Sequence, residues 1–213
     1  MARSVDEAAV TIEPMQFEDL DAVVALDAIV SNPAWSRAMF ESELTSNSFA
    51  GFLVARALDV GARAAEISES SRLADPAART HAAPSSSKRA PSDAPTPPAT
   101  LAAPSAAGVP VVCGYIGFWI VFEELHLLNV AVHPDWQRRG VAARLVQAVF
   151  EAAIARGVTR ALLEVRASNL PAQQLYAQFG FQVIARRAGY YTQPSEEALI
   201  MACEGLHAVH TDQ

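Results

Sequence analysis

Phenylalanine, tyrosine and tryptophan are absent between Phe52 and Tyr115, and eight of the thirteen prolines fall between Pro76 and Pro110 in a tract of Ala, Ser and Pro. Such a segment cannot bury enough apolar surface to offset the entropy of ordering it. Residues 59–109 are therefore expected to be a disordered insertion. They interrupt what reads as two neighbouring antiparallel strands, Ala50–Ala57 and Val109–Val121. A long hairpin loop there is tolerable, because closure costs only about 0.6 kcal/mol more per doubling of length. Residues 1–58 and 110–205 then form one domain, followed by a flexible tail at 206–213.

Cysteine is scarce as well: Cys113 and Cys203 are the chain's two, each in a short apolar, strand-like context. That argues against a disulfide framework or a metal site, and both read as small buried hydrophobes. Neither stands beside a histidine or at a helix start that would activate it, so a covalent acyl-enzyme is disfavoured. No apolar run approaches the ~18 residues of a membrane helix, and the N-terminus lacks a basic segment followed by an apolar stretch. The expected location is the cytoplasm, away from membranes. A basic excess is missing too, with a net charge of −7. The charges of 59–109 cancel, Asp59, Glu66, Glu69, Asp75 and Asp93 against Arg63, Arg72, Arg79, Lys88 and Arg89, so the acidity belongs to the folded part. An acidic surface attracts basic protein partners and repels nucleic acid, although ordinary solubility explains it equally well.

What is present is concentrated in two stretches. From Asn129 to Ala143 an apolar strand passes through a proline turn into a Gln-Arg-Arg-Gly-Val-Ala loop that opens a helix. Val141, Leu145, Val146, Val149, Phe150 and Ala153 share one face of that helix. The first N–H groups of a helix have no partner within it, and with the dipole they attract an anion. Gly140 permits close approach, and Arg138 and Arg139 add charge suited to phosphate. The second stretch, Leu163 to Phe181, reads as a strand that ends at Asn169, a helix with Pro171 near its first position, and Gly180 after its last turn.

The remaining order is a strand at Ala9–Glu13, helices at Phe17–Ile29 and Trp35–Thr45, and, beyond the interrupted hairpin, a strand at Glu124–Val132. A helix at Gly140–Arg156, a strand at Ala161–Arg166 and a helix at Pro171–Phe179 follow. A hairpin of Phe181–Arg186 with Ala198–Cys203 closes the chain. The class is α/β with a mixed sheet. Glu164 interrupts an apolar run, and the two-residue period puts it on one face with Leu162 and Arg166. It is either a cleft carboxylate or a surface residue paired with Arg166.

Together the two stretches resemble the GCN5-related N-acetyltransferase (GNAT) family, and more closely its RimI-like branch, which acetylates protein N-termini. Gln137, Arg138, Arg139, Gly140, Val141 and Ala142 match the family's cofactor loop. Leu163, Glu164, Val165, Arg166, Ser168, Asn169, Ala172, Leu175, Tyr176, Gly180 and Phe181 match the branch signature. Arg187, Tyr190, Tyr191, Ala198 and Met201 resemble its ending, and Pro33, Trp35, Phe40 and Leu44 its substrate-side helix.

The resemblance implies the acyl-CoA N-acyltransferase fold, whose two central strands splay apart. Acetyl-CoA is then the co-substrate, bound by Val130, Ala131, Val132, Gln137–Ala143 and Asn169, with the Val132 N–H as an oxyanion donor. Glu164 would serve as general base, directly or through a water, and Tyr176 as general acid. Trp35, Arg187, Tyr190 and Tyr191 would wall the peptide channel. The implied acceptor is the N-terminal alanine of ribosomal protein S18, or the N-terminus of another basic protein. Core packing is the alternative role for the aromatics, and Asn169 would also cap its helix. Lysine or small-amine transfer, or a non-catalytic acetyl-CoA-binding module that uses the Ala/Pro tract to tether a partner, remain as alternatives. His133 reads as an exposed turn residue, and His126 as one that could line the cleft.

Overall fold

The computed structural model of the chain describes residues 10–31, 33–58 and 110–206. The expected insertion, 59–109, and the tail beyond Leu206 lie outside the described residues. The elements are β1 (Val10–Pro14), α1 (Leu20–Val30), α2 (Arg37–Ser46), β2 (Ala50–Leu58), β3 (Pro110–Val121) and β4 (Glu124–Val132). They continue with α3 (Val141–Ile154), β5 (Arg160–Arg166), α4 (Leu170–Gln178), β6 (Gln182–Thr192) and β7 (Ser195–Glu204). The strands form one mixed seven-stranded sheet in the order β1-β2-β3-β4-β5-β7-β6.

The sheet separates two apolar layers because alternate residues of a strand face opposite ways. Tyr115 joins Leu20, Val23, Leu26 and Phe40 beneath α1 and α2, while its neighbour Ile116 joins the layer under α3. The face predicted for α3 is the buried one, residue for residue: Val141, Leu145, Val146, Val149, Phe150 and Ala153. At roughly 1.5–3 kcal/mol for each large side chain removed from water, that stripe anchors the helix.

Several boundaries moved for local reasons. The first helix begins as a 3-10 turn, Phe17–Asp19, because the Asp19 carboxylate turns back to accept from the Gln16 N–H at 2.8 Å. The second starts after Ser36, whose side chain caps it by accepting from the Met39 N–H. The closing hairpin is longer than expected, running through Thr192 and Ser195. Gly189, at φ +62°, and a shift of register between Arg187 and Tyr191 let β6 pass its Arg-Arg-Ala-Gly stretch and continue pairing. Leu206, assigned to the tail, is buried and donates its N–H to Thr159 O at 2.9 Å, so order reaches one residue further.

The feature that makes a site is a failure of pairing. β4 and β5 run parallel and pair only from Glu124–Arg160 to Leu127–Leu163. Beyond that point β4 continues to Val132 and β5 to Arg166 as separate walls, which is the expected splay. A bulge at Leu128 sits where they part: Gly117 faces Asn129 while the next residue, Phe118, faces Leu127. The extra residue inverts the alternation of β4. Leu125 and Leu127 point to the α3 layer before it, and Val130 and Val132 do so after it, leaving Asn129 and Ala131 toward α1.

Candidate active site

The splay opens into a cleft of about 1390 Å³. One wall is the free edge of β4. The His133 N–H donates to Cys113 O on β3 at 2.9 Å. Since successive N–H groups of a strand point to opposite sides, those of Val130 and Val132 face the notch, where β5 no longer pairs. The Val132 carbonyl shares that side and accepts from Gln137 Nε2 at 3.0 Å. Gln137 thus ties the loop to the strand, a role the sequence reading missed because the contact depends on how the loop folds back.

The second wall is the start of α3. Arg138 (φ +60°) and Gly140 (φ +79°) both adopt left-handed backbone, a conformation that costs a non-glycine residue ~1–2 kcal/mol. Such turns bring successive N–H groups around to one side. Gly140 caps α3 without any side-chain hydrogen bond, and the first intrahelical bond runs from the Arg144 N–H to Gly140 O. The N–H groups of Val141, Ala142 and Ala143 thus have no intrahelical partner, and all three residues line the cleft. That donor set fits an anionic phosphate, and the free edge of β4 fits an amide-bearing arm laid beside it as an added strand. Arg138 lines the cleft and Arg139 does not: its guanidinium lies 5.0 Å over the Trp136 ring.

The third wall carries the titratable groups. The burial of β5 alternates strictly, with Ala161, Leu163 and Val165 inward and Leu162, Glu164 and Arg166 toward the cleft, as the two-residue period requires. Glu164 is engaged from β6. Its Oε1 accepts from Arg187 Nη1 at 2.8 Å, and the Tyr190 hydroxyl also bonds to it, which holds that phenol above its ordinary pKa. Arg166 pairs with Glu196 at 3.2 Å and stacks 4.0 Å over Tyr191. Arg187, Tyr190 and Tyr191 were expected in the channel wall, but their contacts with Glu164 and Arg166 depend on β6 continuing past the expected end at Arg186.

Tyr176 on α4 also lines the cleft. Burial, with a smaller effect of Tyr191, pushes its hydroxyl up to about 12, so it carries its proton throughout the neutral range. Asn169 caps α4, accepting from the Ala172 N–H at 3.2 Å, and lines the cleft as well. Trp35 belongs half to the cleft and half to the core, its ring 5.3 Å from that of Phe40. His126 lines the cleft floor with its Nε2 3.4 Å from Glu124. His133 is half-buried rather than exposed, because its ring accepts from the Asp135 N–H and caps the turn at Pro134–Trp136. Cys113 and Cys203 are both buried and unpaired, and burial pushes the Cys113 thiol up to about 11. Among the described residues no helix is long and apolar enough to cross a membrane.

The family model described as "Acetyltransferase (GNAT) family" matches residues 64–181. The chain is 27% identical over 190 residues, 89% of its length and 92% of the relative's, to a Bacillus subtilis protein with the provisional name of a ribosomal protein bS18-alanine N-acetyltransferase. It is 44% identical to the Salmonella typhimurium ribosomal protein bS18-alanine N-acetyltransferase over 85 residues, which span 39% of the chain and 57% of that relative. The fold is like that of the Escherichia coli ribosomal-protein-S18-alanine N-acetyltransferase, with TM-score 0.63, 23% identity, and coverage of 96% of this chain and 99% of that one.

Proposed function

The chain belongs to the GNAT family of N-acetyltransferases, and from that premise we propose that it acetylates the N-terminal α-amine of a protein, the N-terminal alanine of ribosomal protein S18. The observation that carries the site assignment is the notch itself. The separated edges of β4 and β5 bring unpaired strand donors, a helix start with no side-chain cap and a carboxylate to one cleft. The names of the relatives at 27% and 44% identity support the acceptor.

Acetyl-CoA, the family's co-substrate, supplies an activated acetyl thioester. The free N–H groups of Val141–Ala143, with Gln137, Arg138 and Gly140 shaping their turn, would hold its phosphates, and Asn169 would contact it from α4. Val130, Ala131 and Val132 would hold its extended arm, with the Val132 N–H placed to stabilise an oxyanion. Arg139 would contribute charge from outside the cleft lining. Glu164 takes the proton from the attacking amine, a modest task for a group of ordinary pKa ~7.7–8.0. Tyr176, held protonated, gives one to the departing thiolate. Trp35, Tyr190 and Tyr191, with Arg187, flank the route to Glu164 and would receive the peptide N-terminus.

The test is thiol release from acetyl-CoA with an S18 N-terminal peptide, beside the same peptide blocked at its α-amine and one bearing only an internal lysine. Turnover confined to the free N-terminus is expected. Turnover on lysine alone would reassign the acceptor, and cofactor binding without turnover on any peptide would point to a small amine or a binding module.

A further inference from the structure

The mechanism above leaves one fully buried carboxylate unused. Asp27 falls on the inward face of α1, where Leu20, Val23 and Leu26 are apolar, and it is 0% exposed. Three donors converge on it. The Trp35 backbone N–H donates to Oδ2 at 2.6 Å, and the Tyr115 hydroxyl to Oδ1 at 2.7 Å. The Ser31 hydroxyl donates to Oδ1 as well.

These partners are not scattered. Ser31 and Trp35 belong to the connection between α1 and α2 and line the cleft. Tyr115 sits on β3 opposite Ala131 of β4. Asn129, which the bulge at Leu128 turns toward this side, closes the circuit: in the amide orientation that satisfies its neighbours, its Oδ1 accepts from Trp35 Nε1 at 3.2 Å. Trp35 is thereby fixed twice, by its backbone to Asp27 and by its indole to the strand that also carries Val130 and Val132. A carboxylate removed from water is costly unless its hydrogen bonds are made, and an apolar residue would fill the same helix face. The cost is understandable if the bonds hold something that packing alone would leave loose, namely a connection with no helix or strand of its own beside the acceptor's path.

We propose that Asp27 is a positioning residue for acceptor recognition, setting the α1–α2 connection and the Trp35 indole at a fixed distance from the β4 edge. Its effect falls on the acceptor and spares acetyl-CoA, because α3 and its N-terminal loop make none of these contacts. The proposal rests on the reading of the cleft given above.

Asp27→Asn separates the possibilities, since the amide keeps the volume but cannot accept at both oxygens. Hydrogen exchange at the Trp35 amide is expected to quicken while α3 keeps its protection. The KM for the peptide should rise about tenfold, the equivalent of one lost charged hydrogen bond, with the KM for acetyl-CoA within about twofold. Unchanged exchange and peptide KM, or an equal loss toward both substrates, would overturn it. Should that variant not fold, Tyr115→Phe removes one donor and is expected to raise only the peptide KM, by a factor of a few. No change there overturns the proposal equally. Absence of S18-peptide turnover in the wild type would defeat the acceptor assignment alone, and exchange at Trp35 would still decide the role of Asp27.

Discussion

Arg187 Nη1 and Glu164 Oε1 meet at 2.8 Å between β6 and β5, so the carboxylate proposed as base is already engaged by a guanidinium. The pair is half-open to solvent, with the two side chains 52% and 33% exposed. Its contribution to stability is accordingly small. Its consequence is orientation: Arg187, itself 5.0 Å over the Tyr190 ring, holds Glu164 toward the cleft from a strand that lies at the sheet edge.

Glu164→Gln is expected to lower kcat by about 10²–10⁴, the range for loss of a general base, with acetyl-CoA affinity within about twofold of the parent protein. Thiol release and calorimetric binding read the two effects separately. Equal losses in both would make Glu164 a binding residue.

Tyr176→Phe removes the hydroxyl that burial raises to about 12. A thiolate leaving group is stable enough, with a parent pKa of about 8.5, that turnover should slow by roughly ten- to a hundredfold and not vanish. Because the hydroxyl stays protonated below about pH 12, Tyr176 itself contributes no pH dependence between pH 6 and about 10. The comparison to make is kcat across that range in both proteins.

Gly140→Ala tests the turn into α3. A methyl group there meets nothing within 4 Å, so the whole penalty is the φ of +79°. About 1 kcal/mol of stability should be lost, and acetyl-CoA binding should weaken as the loop relaxes. At Gly117 the reason differs: an added Cβ would lie 2.6 Å from the Phe52 ring. Gly117→Ala should therefore lower Tm more than Gly140→Ala, while acetyl-CoA affinity is disturbed less.

Burial raises the Cys113 thiol from 9.0 to about 11. A folded-state pKa above the unfolded one gives stability that is complete below pH 9 and is lost as pH climbs toward 11, since the unfolded chain releases its proton first. The loss should amount to roughly 2–3 kcal/mol, with Tyr176 and Cys203 acting in the same direction. Urea midpoints from pH 7 to 11 should fall only above pH 9, and Cys113→Ala should flatten the fall. A thiol reagent at pH 8 should leave Cys113 unmodified until the protein unfolds.

How far the sequence alone reached depends on the range of the interaction. The buried stripe of α3, the glycine before it, the Asn169 cap and the alternation that turns Glu164 outward were all legible, because periods of 3.6 and 2 residues and capping preferences act within a few positions. The RimI-like motifs carried the splayed sheet as well. Three things were not legible. The bulge at Leu128, between Leu127 and Asn129, exists only as a mismatch with β3. The engagement of Glu164 by Arg187 needs β6 to continue beyond Arg186 and lie beside the cleft. Asp27 does sit among the inward positions of α1 by spacing, a signal that could have marked it, but its partners Trp35 and Tyr115 come from other elements. Local periodicity tells which way a side chain points, whereas the group it meets there is decided only when elements distant in the chain are packed against one another.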